Sequence, residues 1–200
     1  EKYKKSVITE AVTKGKLGNK YINEDGELVD EIEMKDSGVR FINKIPYFFE
    51  TVSIKRLLLG INDGTHGTHK RVKEGELLLS AKNVYNDGLE INNTESLISQ
   101  NDYNSIVSNG YPKKGDILLT CVGTIGRSCV YKKNKPLAFQ RSVAFLRFNK
   151  NCYPDFYKYV IQSSFYQQQL KIDLKSTAQS GIYMNDIENT IVVFVDYNIQ

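Results

Sequence analysis

The sequence predicts an α+β fold with a mixed or mostly antiparallel sheet, and three observations carry that prediction. From residue 38 to residue 148, short apolar runs alternate with Asp-Gly, Asn-Asp-Gly and other turn signals, the pattern of strands joined by hairpins and loops. Helical spacing governs residues 2–13 and returns at residues 155–171. Over 200 residues, 40% are hydrophobic and 25% charged, enough for one substantial core.

In chain order, Tyr3, Val7, Ile8, Ala11 and Val12 recur on one helical face, with Lys4 and Lys5 on the other side. The pattern is already running at residue 1, as expected for the end of a longer helix, and the lack of an initiator Met points to a processed or excised chain. Gly15 and Gly18 stop this helix. Residues 19–37 are polar and acidic and read as a linker or wrap-around arm. Strands are then expected in Val52–Ile61, Leu77–Val84, Ile117–Val122, Ser128–Tyr131, Ser142–Phe148 and Thr190–Val195. Phe156, Tyr159, Val160, Ser163, Gln167 and Leu170 predict one helix over 155–171, with Asp155 as its N-cap directly after Pro154. No repeat and no low-complexity tract interrupts the chain.

Several function classes are disfavoured at once. Mean hydropathy is −0.40 and no apolar run is long enough to cross a bilayer. The first residues are charged where a signal peptide needs an apolar core. Cys121, Cys129 and Cys152 are an odd set at spacings that fit no zinc motif, and a reducing, cytoplasmic location is expected. The net charge of +4 permits a polyanionic partner without requiring one.

The chemical motifs are thin. Gly123-x-x-Gly126 fits neither GxxxxGK[ST] nor GxGxxG, and it runs into another apolar run where a phosphate cradle needs a helix N-terminus. A tight turn using glycine at positive φ is the simpler reading. His66 and His69 lack further ligands for a metal and read as part of a solvated loop. Asp30, Glu33 and Lys35 imitate a nuclease triplet, but they lie in a polar stretch unsuited to a magnesium site. There is no Asn-Pro-Pro-Tyr-like methyl-transfer motif and no Gly-x-Ser-x-Gly elbow. No catalytic residues, metal or cofactor are expected.

What remains is a distribution. Lys70, Arg71, Lys73, Lys82, Lys113, Lys114, Arg127, Lys132, Lys133, Lys135 and Arg141 fall in or beside turns, interleaved with Asn, Thr, Ser and Gln. Cations hold a protein on phosphates, whereas Arg, Asn and Gln read base edges.

In order and almost end to end, several segments resemble one half of the specificity subunit of type I restriction–modification systems. They are MKDSGVRFINKIPYFFETVSIKRL (34–57), DGTHGTHKRV (63–72), LLLSAKNV (77–84), KKGDILLTCVGTIGR (113–127), FQRSVAFLRF (139–148), YVIQSSFYQQQL (159–170) and STAQSGIYMNDI (176–187). Members of that family usually carry tryptophan where this chain has Phe41 and Phe49, and a proline-rich exit where it has VVFVDYNIQ.

The resemblance implies a non-catalytic DNA-binding domain that reads one half of a split site through the major groove. It would act with methyltransferase subunits and, through them, a restriction subunit. The alternative is the recognition domain of a stand-alone or fused adenine methyltransferase. The implied organisation is the end of a spacer helix (1–14), a polar linker (15–35), a target-recognition domain (36–195) and the start of an exit segment (196–200). The stripe Tyr3, Val7, Ile8, Ala11 and Val12 would then pack against a partner helix. The expected DNA contacts are Thr65, His66, Lys70, Arg71, Lys82, Asn83, Lys113, Thr124, Arg127, Gln140 and Arg141. Among these, Lys70, Lys82 and Lys113 would lie mainly on phosphates.

Overall fold

A computed structural model of the chain describes residues 2–176 and 181–200. Among these the chain divides into two compact units, one of residues 2–57, 149–176 and 185–200, the other of 58–148 and 181–184. No helix of the described residues is long and apolar enough to cross a membrane.

The first unit opens with helix α1 (Lys2–Lys14). Its apolar stripe is covered progressively: Tyr3 and Val7 are exposed, and Val12 is buried. The segment read as a polar linker folds as an antiparallel meander of β1 (Lys16–Leu17), β2 (Lys20–Ile22) and β3 (Leu28–Val29). Asn23 makes its turn, since its Oδ1 accepts from the amides of Asp25 and Glu27. The hairpin of β4 (Met34–Val39) and β5 (Ile42–Pro46) follows, and then β6 (Glu50–Ser53). Phe41 sits in that hairpin's turn at φ 75, and Phe49 is buried.

The second unit holds β7 (Leu58–Asp63), β8 (Glu76–Leu79), β9 (Val84–Tyr85), β10 (Gly88–Leu89), β11 (Leu97–Ile98), α2 (Gln100–Asn109), β12 (Ile117–Thr120), β13 (Ser128–Val130), β14 (Ala138–Phe139) and β15 (Val143–Phe148). Four strands form an antiparallel sheet in the order β13-β12-β15-β7. A second sheet, β11-β8-β14, has β14 parallel to β8, so the fold is mixed. All four residues of β12 are buried, which explains its unbroken apolar run. Leu118, Cys129, Phe139, Val143 and Phe145 form the main cluster with Leu79 and Val84. Cys129 acts there as a small hydrophobe, and burial pushes the Cys121 thiol up to about 12. Helix α2, absent from the sequence prediction, closes a smaller cluster of Leu78, Ile98, Ile106 and Ala138.

In the returning part of the first unit, the single helix expected over 155–171 is two helices. These are α3 (Pro154–Gln162) and α4 (Ser164–Ser176). Ser163 takes an extended conformation between them, and its hydroxyl bonds the Val160 carbonyl. Pro154 stands inside the first turn with Tyr153 as N-cap, whereas Asp155 pairs with Lys158. Helix α5 (Met184–Asn189) precedes β16 (Ile191–Phe194), which is antiparallel to β6. Residues 177–180 of the STAQSGIYMNDI segment lie outside the described residues.

Candidate nucleic-acid interface

The register of the second unit decides where its loops begin. Asp63 at the end of β7 pairs with Ala144, and Thr120 at the end of β12 pairs with Val143, so both strands finish where β15 starts. Strands β8 and β14 run parallel and finish there too, since the Gln140 amide donates to the Leu79 carbonyl at 2.8 Å. Four loops therefore leave one end of the sheets. Main-chain bonds join them: Thr65 N–H to Phe139 O at 2.8 Å, Arg141 N–H to Thr65 O at 3.0 Å and Cys121 N–H to Ser142 O at 2.8 Å. The Ser142 hydroxyl accepts from the Ala81 amide at 3.0 Å. Gly64 is required here, because a Cβ on it would stand 2.2 Å from the Phe139 carbonyl oxygen.

The glycine turn is the β12–β13 hairpin, with Gly123 at φ 79 and Gly126 at φ 89. Thr120 fixes its base: the Thr120 hydroxyl accepts from the Arg127 amide at 2.9 Å, and the Gly126 amide donates to the Thr120 carbonyl at 2.9 Å. The turn runs into a strand, as expected, and offers no helix N-terminus. The Arg127 guanidinium lies 4.6 Å from the centre of the Tyr85 ring, which orients the cation on the hairpin. Thr124 is exposed at the tip.

Carboxylates organise the remaining loops. Glu95, almost fully buried, binds the Lys82 ammonium at 2.7 Å and the Asn83 amide at 2.7 Å. Lys82 holds the Glu95 carboxyl below its ordinary range, against the opposing effect of burial. Asn83 also donates to the Glu90 carbonyl and accepts from the Ser80 amide. Its amide is spent inside the fold, so Asn83 shapes this loop and leaves the set of DNA-facing candidates. His66 is exposed but sits 2.9 Å from Asp63.

His69 differs from the solvated residue expected. Its side chain is 13% exposed, its Nδ1 lies 3.1 Å from Asp102 and its Nε2 3.0 Å from the Thr65 hydroxyl. The Ser99 hydroxyl and His69 hold the Asp102 carboxyl below its ordinary range.

Lys70, Arg71 and Arg141 are exposed and Gln140 is half-buried at this end. With Thr65, His66, Lys82, Thr124 and Arg127 they form the candidate interface. Lys113 is not among them. It precedes β12, at the end opposite the hairpin, where Gly115 N–H meets the Tyr131 carbonyl and Asp116 takes a two-point hydrogen bond from Arg147. A four-residue strand of roughly 13 Å separates the two ends. Lys114, Lys132, Lys133 and Lys135 share that far end and are exposed. No group of three or more His, Cys, Asp or Glu able to hold a metal occurs among the described residues.

Sequence reasoning missed Tyr85, Glu95 and Asp102, whose roles depend on partners far along the chain. Only Asp102 left a local signal, Ser99-x-x-Asp102, which caps α2: the Asp102 amide donates to the Ser99 hydroxyl at 3.1 Å.

No protein-family model and no curated protein sequence matches the chain. Solved structures do. The HsdS subunit from Thermoanaerobacter tengcongensis matches 82% of the chain at 16% identity and a TM-score of 0.51, over 36% of its own length. A structure describing complex assembly and conformational transition of the type I R-M system matches 82% at 15% identity and 0.54, over 37% of that chain. The S subunit of the type I system from M. genitalium matches 76% at 16% identity and 0.50. The chain thus spans little more than a third of the subunits it resembles. Over about four-fifths of its length it has the fold of part of the specificity subunits of type I restriction–modification systems.

Proposed function

We propose that this chain is a DNA target-recognition domain, reading one half of a bipartite duplex site as part of a type I specificity subunit. The observation that carries the reading is the joining of four polar, cation-bearing loops at one end of a fold shared with such subunits. That end meets the major groove. Lys70 and Lys82 lie along phosphates, Lys82 sharing its charge with Glu95. Arg71, Arg127, Gln140 and Arg141 stand nearer base edges, since Arg fits guanine and Gln fits adenine in bidentate geometry. The domain performs no chemistry. It directs methyltransferase subunits and, through them, a restriction subunit, in the cytoplasm.

The test is selection from a randomised duplex library with the purified chain, followed by affinity measurements across a salt series. One short enriched motif, bound with a negative log–log salt slope, is expected. Salt-sensitive binding without any enriched motif would overturn sequence reading. With S-adenosylmethionine and duplex DNA, the purified chain alone should transfer no methyl group. Turnover would favour a methyltransferase.

A further inference from the structure

We infer that His69 is a positioning residue for DNA reading, holding the Thr65–Arg71 loop through a Ser99–Asp102–His69–Thr65 hydrogen-bond relay anchored on α2. The inference rests on the proposed DNA-reading role and names a residue that sets specificity without itself touching a base.

The relay is continuous. The Ser99 hydroxyl donates to Asp102 Oδ2 at 2.8 Å and Asp102 Oδ1 lies 3.1 Å from His69 Nδ1. His69 Nε2 lies 3.0 Å from Thr65 Oγ1, which also accepts from the Gly67 amide at 3.2 Å. An ionised carboxylate only accepts, so Nδ1 carries the proton, and in the neutral ring Nε2 accepts from the Thr65 hydroxyl. One tautomer satisfies every group. The backbone of Thr65 is in turn bonded to Phe139 and Arg141, so the relay ends where the loops are joined. Arg71 touches the His69 carbonyl at 3.5 Å, which links the relay to a candidate base-reading cation. A loop bearing Lys70 and Arg71 otherwise has few fixed points, and ordering it before binding spares the complex that entropic cost.

The test has two arms. Nitrogen-15 shifts of the His69 ring in the unbound chain should report the Nδ1–H tautomer in the unaltered protein and in Asp102→Asn, whose amide oxygen still accepts. They should not in Asp102→Ala. Binding of the selected motif, relative to scrambled duplex, should fall on the order of tenfold in Asp102→Ala and His69→Ala and stay near the original in Asp102→Asn. The double variant His69→Ala/Asp102→Ala should lose no more than either single one, as for one coupled unit. Affinity for scrambled duplex and its salt slope should not move. A purely structural residue would lower both affinities together with the melting temperature.

The other tautomer in the unaltered chain overturns the relay and leaves the DNA reading intact. The expected tautomer with unchanged motif preference overturns the positioning role alone. If the unaltered chain prefers no motif, the DNA reading falls, and the inference with it.

Discussion

The two ends of the second unit's main sheet carry similar numbers of cations and treat them in opposite ways. At the hairpin end, three acidic residues each hold a cation or imidazole: Asp63 with His66, Glu95 with Lys82 and Asp102 with His69. Arg127 is set against the Tyr85 ring. At the far end, Lys113, Lys114, Lys132, Lys133 and Lys135 stand out in water, and the only carboxylate ion pair among the described residues there is Asp116 with Arg147. Charge is cheap to place on a surface, whereas orientation requires partners that cost desolvation and must fit. Oriented polar groups therefore distinguish the proposed reading end better than a count of lysines does.

The comparison can be broken most forcefully at the far end. Arg147→Ala leaves the nearly buried Asp116 carboxylate without its two-point partner. It should cost about 3 kcal/mol in urea unfolding, with DNA preference unchanged once folded protein is compared. A loss of motif preference at full stability would mean that the ends had been assigned the wrong way round.

At the hairpin end the expected pattern inverts. Arg141→Ala, an exposed change, should leave unfolding within about 0.5 kcal/mol and cost on the order of 2 kcal/mol on the selected motif while relaxing one position. Equal losses on every sequence would make Arg141 a phosphate contact.

A pH series sharpens the contrast further. The folded-state acidity of Glu95 is displaced below its ordinary value of 4.5, so its contribution to stability is complete above that pH and fades as pH falls through the lower, folded value. Glu95→Gln should therefore be less stable than the unaltered chain near neutrality, and the gap should narrow under acid. A gap that widened on acidification would contradict the Lys82 pairing.

The smallest effect belongs to Lys113→Ala, for which neither stability nor motif preference should change measurably. A salt slope flattened by about one unit would return Lys113 to the DNA surface.

Much of this was legible in advance where local pattern decides. The apolar runs gave β12, β13 and β15, and Gly123 and Gly126 gave a turn of positive φ, because both follow from neighbours along the chain. The loops that would gather were also legible, since strand ends announce them. Which polar groups would be spent inside the fold was not. Asn83 and Lys113 looked like candidates as good as Arg141, and the bonds of Asn83 to Ser80, Glu90 and Glu95, together with the direction of β12, separate them. Helix α2 escaped because its sequence, QNDYNSIVSN, is polar and buries only Ile106, leaving the Ser99 cap as its one strong local sign.

Gly64 has a consequence for anyone wishing to retarget the domain. The excursion from residue 65 to residue 71 is fastened at its start by the Thr65 amide and at its close by the Val72 amide, which donates to the Leu97 carbonyl at 3.0 Å. Both fastenings use the peptide backbone, which every non-proline substitute also supplies. Apart from Thr65 and His69, whose side chains tie the excursion to Asp102, its residues form a replaceable cassette in which side chains are free to drift while the mounting stays put. Gly64 itself is the part of that mounting which tolerates no exchange, since any larger residue would strike the Phe139–Gln140 peptide. Libraries built to redirect recognition should randomise between these two fixings while keeping Thr65 and His69, and leave residue 64 untouched.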